Sequence, residues 1–437
     1  QRQFGSKTTR IFPWNNLRLV AMMLGPSYPN NDVALLAAAA GACHHSGEGG
    51  ENMCSDRAVE KNDYGFGFHN ELSGKKCVLG YADNEVNNKV LKKIKNASMT
   101  SLNDPDEVKL AEMLINLHPW SDMVRFAKTG GEACAIAIRI ARAATGKDKI
   151  AFCGYHGWHD WYLSSNLQNS KNLNRDLMVD LPYKGVATNL KNTCFPFKFN
   201  DFDDLKKKII KNNIGTVIIE VQRNLKPDKN YLSRLVRYCK KKKIVLIFDE
   251  CTSGFREVYG GIHKKYKINP DIVMYGKSLG NGFPITALVG KKKVMESSQN
   301  TFISSTYWTE NTGTAAAIKT LNIMKKIKSW KIITTKGKKI KREFQRIADK
   351  HKLQIKVKGI DALPGFEFNK KNKLYQNFIC KEMLKKGFLF KNTVYLSISH
   401  SEKMINSFIK NLDEIFFMLK KGKIRDFNSL KDFKRMN

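Results

Sequence analysis

From Val78 onward, short runs of β-branched and aliphatic residues alternate with longer stretches in which apolar positions recur at helical spacing. Runs at 123–127, 149–153, 215–220, 244–249, 271–275 and 285–290 predict strands. Several are almost continuously apolar, the pattern of parallel strands covered on both faces. Residues 132–145, with Ala and Ile at helical spacing, and residues 231–242 predict helices between them. The alternation predicts an α/β fold: a large doubly wound domain with a mainly parallel sheet. A connecting helix at 315–326 leads into a Lys-rich mixed α/β tail. The expected division is an irregular amino-terminal segment at 1–77, a large α/β domain at 78–326 and a smaller α/β C-terminal domain at 327–437. Residues 41–76 are rich in Gly, Asn, Glu and His without a clear period, so no element is predicted there.

With 42% hydrophobic and 27% charged residues over 437 positions, the chain has the apolar surface to fold and is too long for a peptide hormone or a lone binding module. Lys and Arg number 76 against 40 Asp and Glu, a net charge of +36 that raises the question of a nucleic-acid partner. The positive charge is mostly Lys scattered in short runs such as 206–208, 240–243 and 291–293. No arginine-rich arm or aromatic-interleaved strip accompanies them, so nucleic acid is not the expected partner. The nine cysteines form no CxxC pair, and the chain's start shows no signal-peptide pattern. A reduced cytoplasmic compartment is expected, with no metal site. The apolar run at 33–43 is too short to span a membrane, and no membrane association is expected.

Candidate chemistry gathers just beyond the predicted strands, where open α/β sheets bind ligands. After the first, Thr129-Gly130-Gly131-Glu132 opens a helix. Free amides at a helix start attract phosphate, although a Gly pair there is more often plain turn chemistry. After the second comes an aromatic and imidazole cluster, Gly154-Tyr155-His156-Gly157-Trp158-His159-Asp160-Trp161. It offers Tyr155 or His156 for stacking on a planar ring, or His156 and His159 for a metal. The lack of nearby carboxylates or cysteines at ligand spacing favours stacking. Asp249 follows five apolar residues and, once buried, needs a partner such as a protonated ring nitrogen. Lys277, in Gly276-Lys277-Ser278-Leu279-Gly280, can reach a carbonyl group. It lies 28 residues after Asp249, one strand-helix-strand excursion, which puts the two on neighbouring strand ends. An anion cradle, a stacking ring, a buried acid and an amine are together what pyridoxal 5'-phosphate requires.

The motifs Lys128-Thr-Gly-Gly-Glu-Ala133, Gly154-Tyr-His-Gly157, Ile247-Phe-Asp-Glu-Cys-Thr-Ser-Gly-Phe-Arg256 and Tyr275-Gly-Lys-Ser-Leu-Gly-Asn-Gly282 resemble, in order and spacing, the class III (fold type I) pyridoxal-phosphate aminotransferases. Within that class they are most similar to glutamate-1-semialdehyde 2,1-aminomutase and its aminotransferase relatives. The resemblance covers about Val78 to Ala317 well and the tail more loosely. It implies that Lys277 forms a Schiff base with the cofactor and shuttles the substrate proton, and that Asp249 pairs with the pyridine nitrogen. Tyr155 is implied to lie against the ring with His156 beside it, and the amides of Gly130 and Gly131 to hold the phosphate. Thr306, in Ser304-Ser-Thr-Tyr-Trp308, matches the threonine that reaches the phosphate of a neighbouring subunit, which implies a homodimer with shared active sites. Glu220 matches a glutamate at the third strand's end, with a site role or a structural one.

The sequence also departs from the family pattern. Thr129-Gly130-Gly131 stands for Ser-Gly-Thr, which keeps the backbone donors and loses a hydroxyl; Val221 stands for Pro, and Cys251 for the Val behind the ring. Arg256 keeps the pattern and reads as structural. Residues before Val78 do not match the segment that covers the family's active-site mouth.

The leading expectation is therefore amino-group transfer between a small-molecule donor and a carbonyl acceptor, by transamination or by intramolecular exchange. Two alternatives stand beside it: a cofactor-binding homologue that has lost catalysis, and a nucleic-acid binder with salt-sensitive retention. Lys277 and Asp249 favour catalysis.

Overall fold

Seven strands make one sheet: β1 Met123–Ala127, β2 Ile150–Cys153, β3 Cys194–Pro196, β4 Thr216–Ile219, β5 Val245–Asp249, β6 Ile272–Tyr275 and β7 Thr286–Gly290. Their order is β1-β7-β6-β5-β4-β2-β3. Strand β7 runs antiparallel to both neighbours, and the pairs from β6 through to β3 are parallel. The computed structural model describes residues 77–175, 181–370, 372–390 and 392–422. The expectations for the amino-terminal segment up to residue 76, including the run at 33–43, lie outside the described residues.

Every residue of β2, β4, β5, β6 and β7 is buried. The reason is visible in the alternation of their side chains. In β5, Val245 and Ile247 enter one core while Leu246 and Phe248 enter another; Ile272 and Met274 of β6 divide from Val273 and Tyr275 in the same way. A sheet covered on both faces needs apolar residues at every position, which is why these strands read as unbroken runs. β3 escapes such a reading because it has three residues, ends in Pro196 and pairs with β2 alone.

The helices are α1 Asn84–Asn96, α2 Pro105–Leu117, α3 Gly130–Thr145, α4 Asp160–Leu163, α5 Phe202–Asn212, α6 Tyr231–Lys241, α7 Lys292–Met295, α8 Thr312–Ile327, α9 Ser329–Lys350, α10 Asn372–Lys385 and α11 Glu402–Lys420. Helix α3 lies across β1, β4, β5, β6 and β7, so its start is held near the middle of the sheet. Helix α8 packs on α1 and α2. After it, α9, α10 and α11 close around the antiparallel pair β8 Ile355–Lys358 and β9 Gly365–Phe368, with Phe344, Phe366, Phe408 and Phe416 in the core. Among the described residues no helix is long and apolar enough to cross a membrane.

One buried polar cluster braces the turn after β5. The Glu250 carboxylate, fully buried, accepts from the amides of Ile262 and His263 at 2.5 and 2.9 Å and lies 2.7 Å from His263 Nδ1. From β6, the Tyr275 hydroxyl lies 2.7 Å from both the Gly260 carbonyl and His118 Nε2. Burial above all lowers His118 to about 4, so its ring is neutral near neutral pH. The turn 250–263 is thereby fastened to the strand that leads to Lys277.

Candidate active site

The amino end of α3 leaves backbone donors open. Thr129 caps it, its hydroxyl accepting from the Glu132 amide at 3.3 Å, while Glu132 Oε2 accepts from the amides of Lys128 and Thr129 at 2.8 and 3.2 Å. The Ala133 amide already bonds to the Thr129 carbonyl. Of the first four helical amides, those of Gly130 and Gly131 are the two the helix and its cap do not use. Glycine is required at 131 for space: a Cβ there would stand 2.9 Å from His159 Nδ1. Gly157, at φ +103°, brings its own backbone equally close, since a Cβ on it would lie 2.9 Å from the Gly131 Cα. The loops after β1 and β2 thus touch backbone to backbone. His159 Nδ1 is buried beside the cradle without a hydrogen-bond partner among the described residues, and burial holds its ring below the ordinary imidazole range.

A Cβ at residue 131 pushes these loops apart, so Gly131→Ala is expected to weaken pyridoxal-phosphate binding by about tenfold or more through overpacking. A cofactor titration followed by absorbance checks this, with an unchanged far-ultraviolet spectrum showing that the fold survives.

Asp249 ends β5 and is 6% exposed. Its Oδ2 accepts from His156 Nδ1 at 2.8 Å and lies 3.6 Å from the Cys134 thiol; its Oδ1 accepts from the Cys251 amide at 3.0 Å. Burial by itself pushes this carboxyl up. The His156 bond and charge, the Cys251 amide and nearby Lys277 outweigh it, and the group sits below the ordinary carboxylate range. His156 is turned inward onto Asp249, stacked at 6.3 Å on Trp161 and edge-on to Phe152. The two imidazoles once paired as metal candidates diverge, His156 to Asp249 and His159 to Gly131. Cys134, His156 and Asp249 bring their polar atoms within 4.8 Å of one another. Their contacts with one another already occupy those atoms, and burial followed by the Asp249 charge pushes the Cys134 thiol well up, which keeps it a protonated donor.

Tyr155 is half-buried, its ring edge-on to Tyr162 at 5.9 Å. Its amide donates to Glu220 Oε2 at 3.1 Å, and Glu220 Oε1 accepts from Arg223 at 2.9 Å. Glu220 is the first residue beyond β4, and Gly154 at φ +116° leaves room for its side chain, 2.8 Å from where a Cβ would stand. Glu220 thus ties the ends of β2 and β4 together. Arg256 is wholly buried, donates from Nε to the Thr252 carbonyl at 2.8 Å and packs over the Tyr395 ring; burial lowers it to about 10.

In the β5–β6 register Asp249 stands opposite Met274, and Lys277 opens a short 3-10 turn two residues past the end of β6. Its backbone is left-handed at φ +40°, a conformation that costs a residue with a side chain about 1 kcal/mol or more. Its Nζ donates to the hydroxyl of Thr252. The Cys251 sulfur fills the space between cradle and lysine loop, 3.8 and 3.4 Å from the Cβ positions of Gly130 and Gly276. Thr306 stands apart: it opens a short 3-10 turn, Thr306–Thr309, is exposed, and makes no hydrogen bond to this cluster among the described residues. The aromatic residues Phe302, Tyr307 and Trp158 are exposed as well. Cys134 and Thr252 are the site neighbours that sequence reasoning passed over. Their signals were faint, a cysteine one turn into α3 and a hydroxyl three residues past the buried acid.

The fold is that of the type I pyridoxal-phosphate enzymes, with the chemistry-bearing side chains at the carboxyl ends of its parallel strands. The chain belongs to the class III aminotransferases, whose family model, "Aminotransferase class-III", matches residues 74–411. It is 32% identical over 306 residues to a 3-aminobutyryl-CoA aminotransferase of Cloacimonas acidaminovorans, covering 67% of this chain and 69% of that protein. It is 31% identical over 382 residues to a glutamate-1-semialdehyde 2,1-aminomutase of Campylobacter hominis, covering 81% and 83%. Among solved structures it resembles an omega-transaminase from Sphaerobacter thermophilus, with TM-score 0.72 and 22% identity over 80% of this chain and 86% of that one. An ornithine aminotransferase from Toxoplasma gondii gives TM-score 0.71 and 18% identity at the same coverage. These matches support pyridoxal-phosphate-dependent amino-group transfer and lend nothing to a homologue without catalysis.

Proposed function

We propose that Lys277, Asp249, Gly130, Gly131, Tyr155, His156 and Glu220 form the active site of a pyridoxal-phosphate enzyme that moves an amino group from a small-molecule donor to a carbonyl acceptor. The observation that carries this reading is a charged buried carboxylate at the end of β5 and a lysine just past the end of the neighbouring parallel strand β6. The residues fit the cofactor: two glycine amides and an orphaned buried imidazole nitrogen meet at the cradle, where an added Cβ would clash. When bound, the cofactor supplies a carbonyl that takes up the amino group and a ring that withdraws electrons from the substrate carbon. The protein supplies the rest.

Gly130 and Gly131 donate to the phosphate at the positive end of α3. Asp249, held charged by His156, keeps a proton on the ring nitrogen. His156 acts through Asp249, fixing the orientation of its carboxylate. Tyr155 gives the ring a flat wall, and Glu220 anchors the Tyr155 backbone. The Lys277 amine takes the proton from the substrate carbon and returns it.

We read residues 78–326 as the cofactor-binding part and 327–437 as a smaller C-terminal part. We also read the active form as a cytoplasmic homodimer in which Thr306 of each subunit reaches the other's phosphate; the exposure of Thr306 and its aromatic neighbours supports this. The two named relatives include an aminotransferase and an aminomutase. The test is a panel of amino donors, glutamate and diamino acids among them, added to the protein carrying pyridoxal phosphate. Bleaching of the bound cofactor's visible band by one donor is expected. A band that no donor bleaches contradicts the assignment.

A further inference from the structure

The Lys277 amine has its own resting partner, the Thr252 hydroxyl, and we propose that Thr252 is the docking point that holds this amine whenever it is not joined to the cofactor, so that it stays within reach for proton transfer. This rests on Lys277 being the reacting amine. Three features argue for a built contact.

The hydroxyl is fixed in space. Thr252 is 4% exposed, and its carbonyl is held by the wholly buried Arg256. The turn around it is locked by the Cys251 amide on Asp249, by the Gly254 amide on the Glu250 carbonyl, and by the Glu250 carboxylate on the amides of Ile262 and His263. The lysine loop is tied to the same turn, because the Ser278 hydroxyl donates to the Gly254 carbonyl at 2.7 Å. The amine is also aimed. Lys277 keeps a left-handed backbone that a lysine adopts only when its surroundings impose it, with extended Gly276 before it.

The chemistry of the acceptor matters as well. Asp249 lies near Lys277 but is already engaged by His156, the Cys134 thiol and the Cys251 amide. A carboxylate facing the amine would hold it as an ion pair and resist its release. A neutral hydroxyl accepts one N–H without pairing the nitrogen in an ion pair, and lets go when the amine joins the cofactor.

The test compares Thr252→Val, which keeps the shape and removes the hydroxyl, with Thr252→Ser, which keeps the hydroxyl. In the cofactor-free protein, brief acylation by acetic anhydride is read at Lys277 by peptide mass spectrometry. Loss of its acceptor should speed labelling in T252V by about fivefold to tenfold, and T252S should match the wild type. In the protein loaded with pyridoxal phosphate, T252V should keep the cofactor and the donor KM while kcat falls about tenfold. Its isotope effect should grow with a donor deuterated at the amine-bearing carbon, and T252S should restore both.

Wild-type labelling in T252V, or failure of T252S to rescue, overturns the proposal. Should T252V not fold, Thr252→Ala read against T252S decides the same contrast. If the wild type never binds cofactor at Lys277, the active-site reading fails, while the labelling comparison still decides the Thr252 contact.

Discussion

Lys277→Ala is expected to abolish amino transfer and, with it, the visible band that pyridoxal phosphate gains on joining the protein. The substitution removes the amine that engages the cofactor and the group that carries the substrate proton. Positioned acid–base catalysis alone contributes about 10²- to 10⁴-fold, so kcat should fall by at least about 10³-fold when both roles go. The fold should survive, because the Lys277 side chain is only partly buried and its hydrogen bond is to one hydroxyl. Thermal unfolding of the cofactor-free proteins separates the two effects: similar midpoints with lost turnover match the account, and a variant that keeps full activity removes Lys277 from the mechanism.

Asp249→Asn has nearly the same shape and carries the second largest expected effect. In the native site the carboxylate stays charged despite burial because His156, the Cys251 amide and Lys277 favour that form. An amide cannot hold a proton on the cofactor's ring nitrogen, and the ring then withdraws electrons poorly. Removing one preorganised electrostatic contact of this kind costs about 2.7–4 kcal/mol of transition-state stabilisation, so kcat should drop roughly 10²- to 10³-fold. Substitution at His156 should be milder, since it acts through Asp249. The readout is kcat measured with saturating cofactor, where an unchanged value would show that Asp249 does not serve the ring.

The strands at the centre of the sheet were legible because burial on both faces removes polar positions; five of the six expected runs differ from the observed strands by one residue at one or both ends, and β1 matches at both. β3 was not, since three edge residues carry no period. The adjacency of Asp249 and Lys277 could be read from their spacing, because a parallel crossover returns the chain to the next strand. What lies between distant segments could not. His156 turns inward because its ring stacks on Trp161 and bonds to Asp249, a choice of loop side that no local pattern encodes. Cys134 meets Asp249 across 115 residues of sequence, and in α3 it reads as one more small apolar residue. Cys251, which stands where the resemblance expects Val, places its sulfur between Gly130 and Gly276, a position the sequence pattern alone does not give. The role proposed for Thr306 needs a second copy of the chain.

The central claim is that one lysine among many on this basic chain joins the cofactor. Incubation with pyridoxal phosphate, reduction with borohydride and peptide mapping test it directly. The account predicts one pyridoxyl label per chain, on Lys277. A label spread over surface lysines, with Lys277 unmodified, would contradict it.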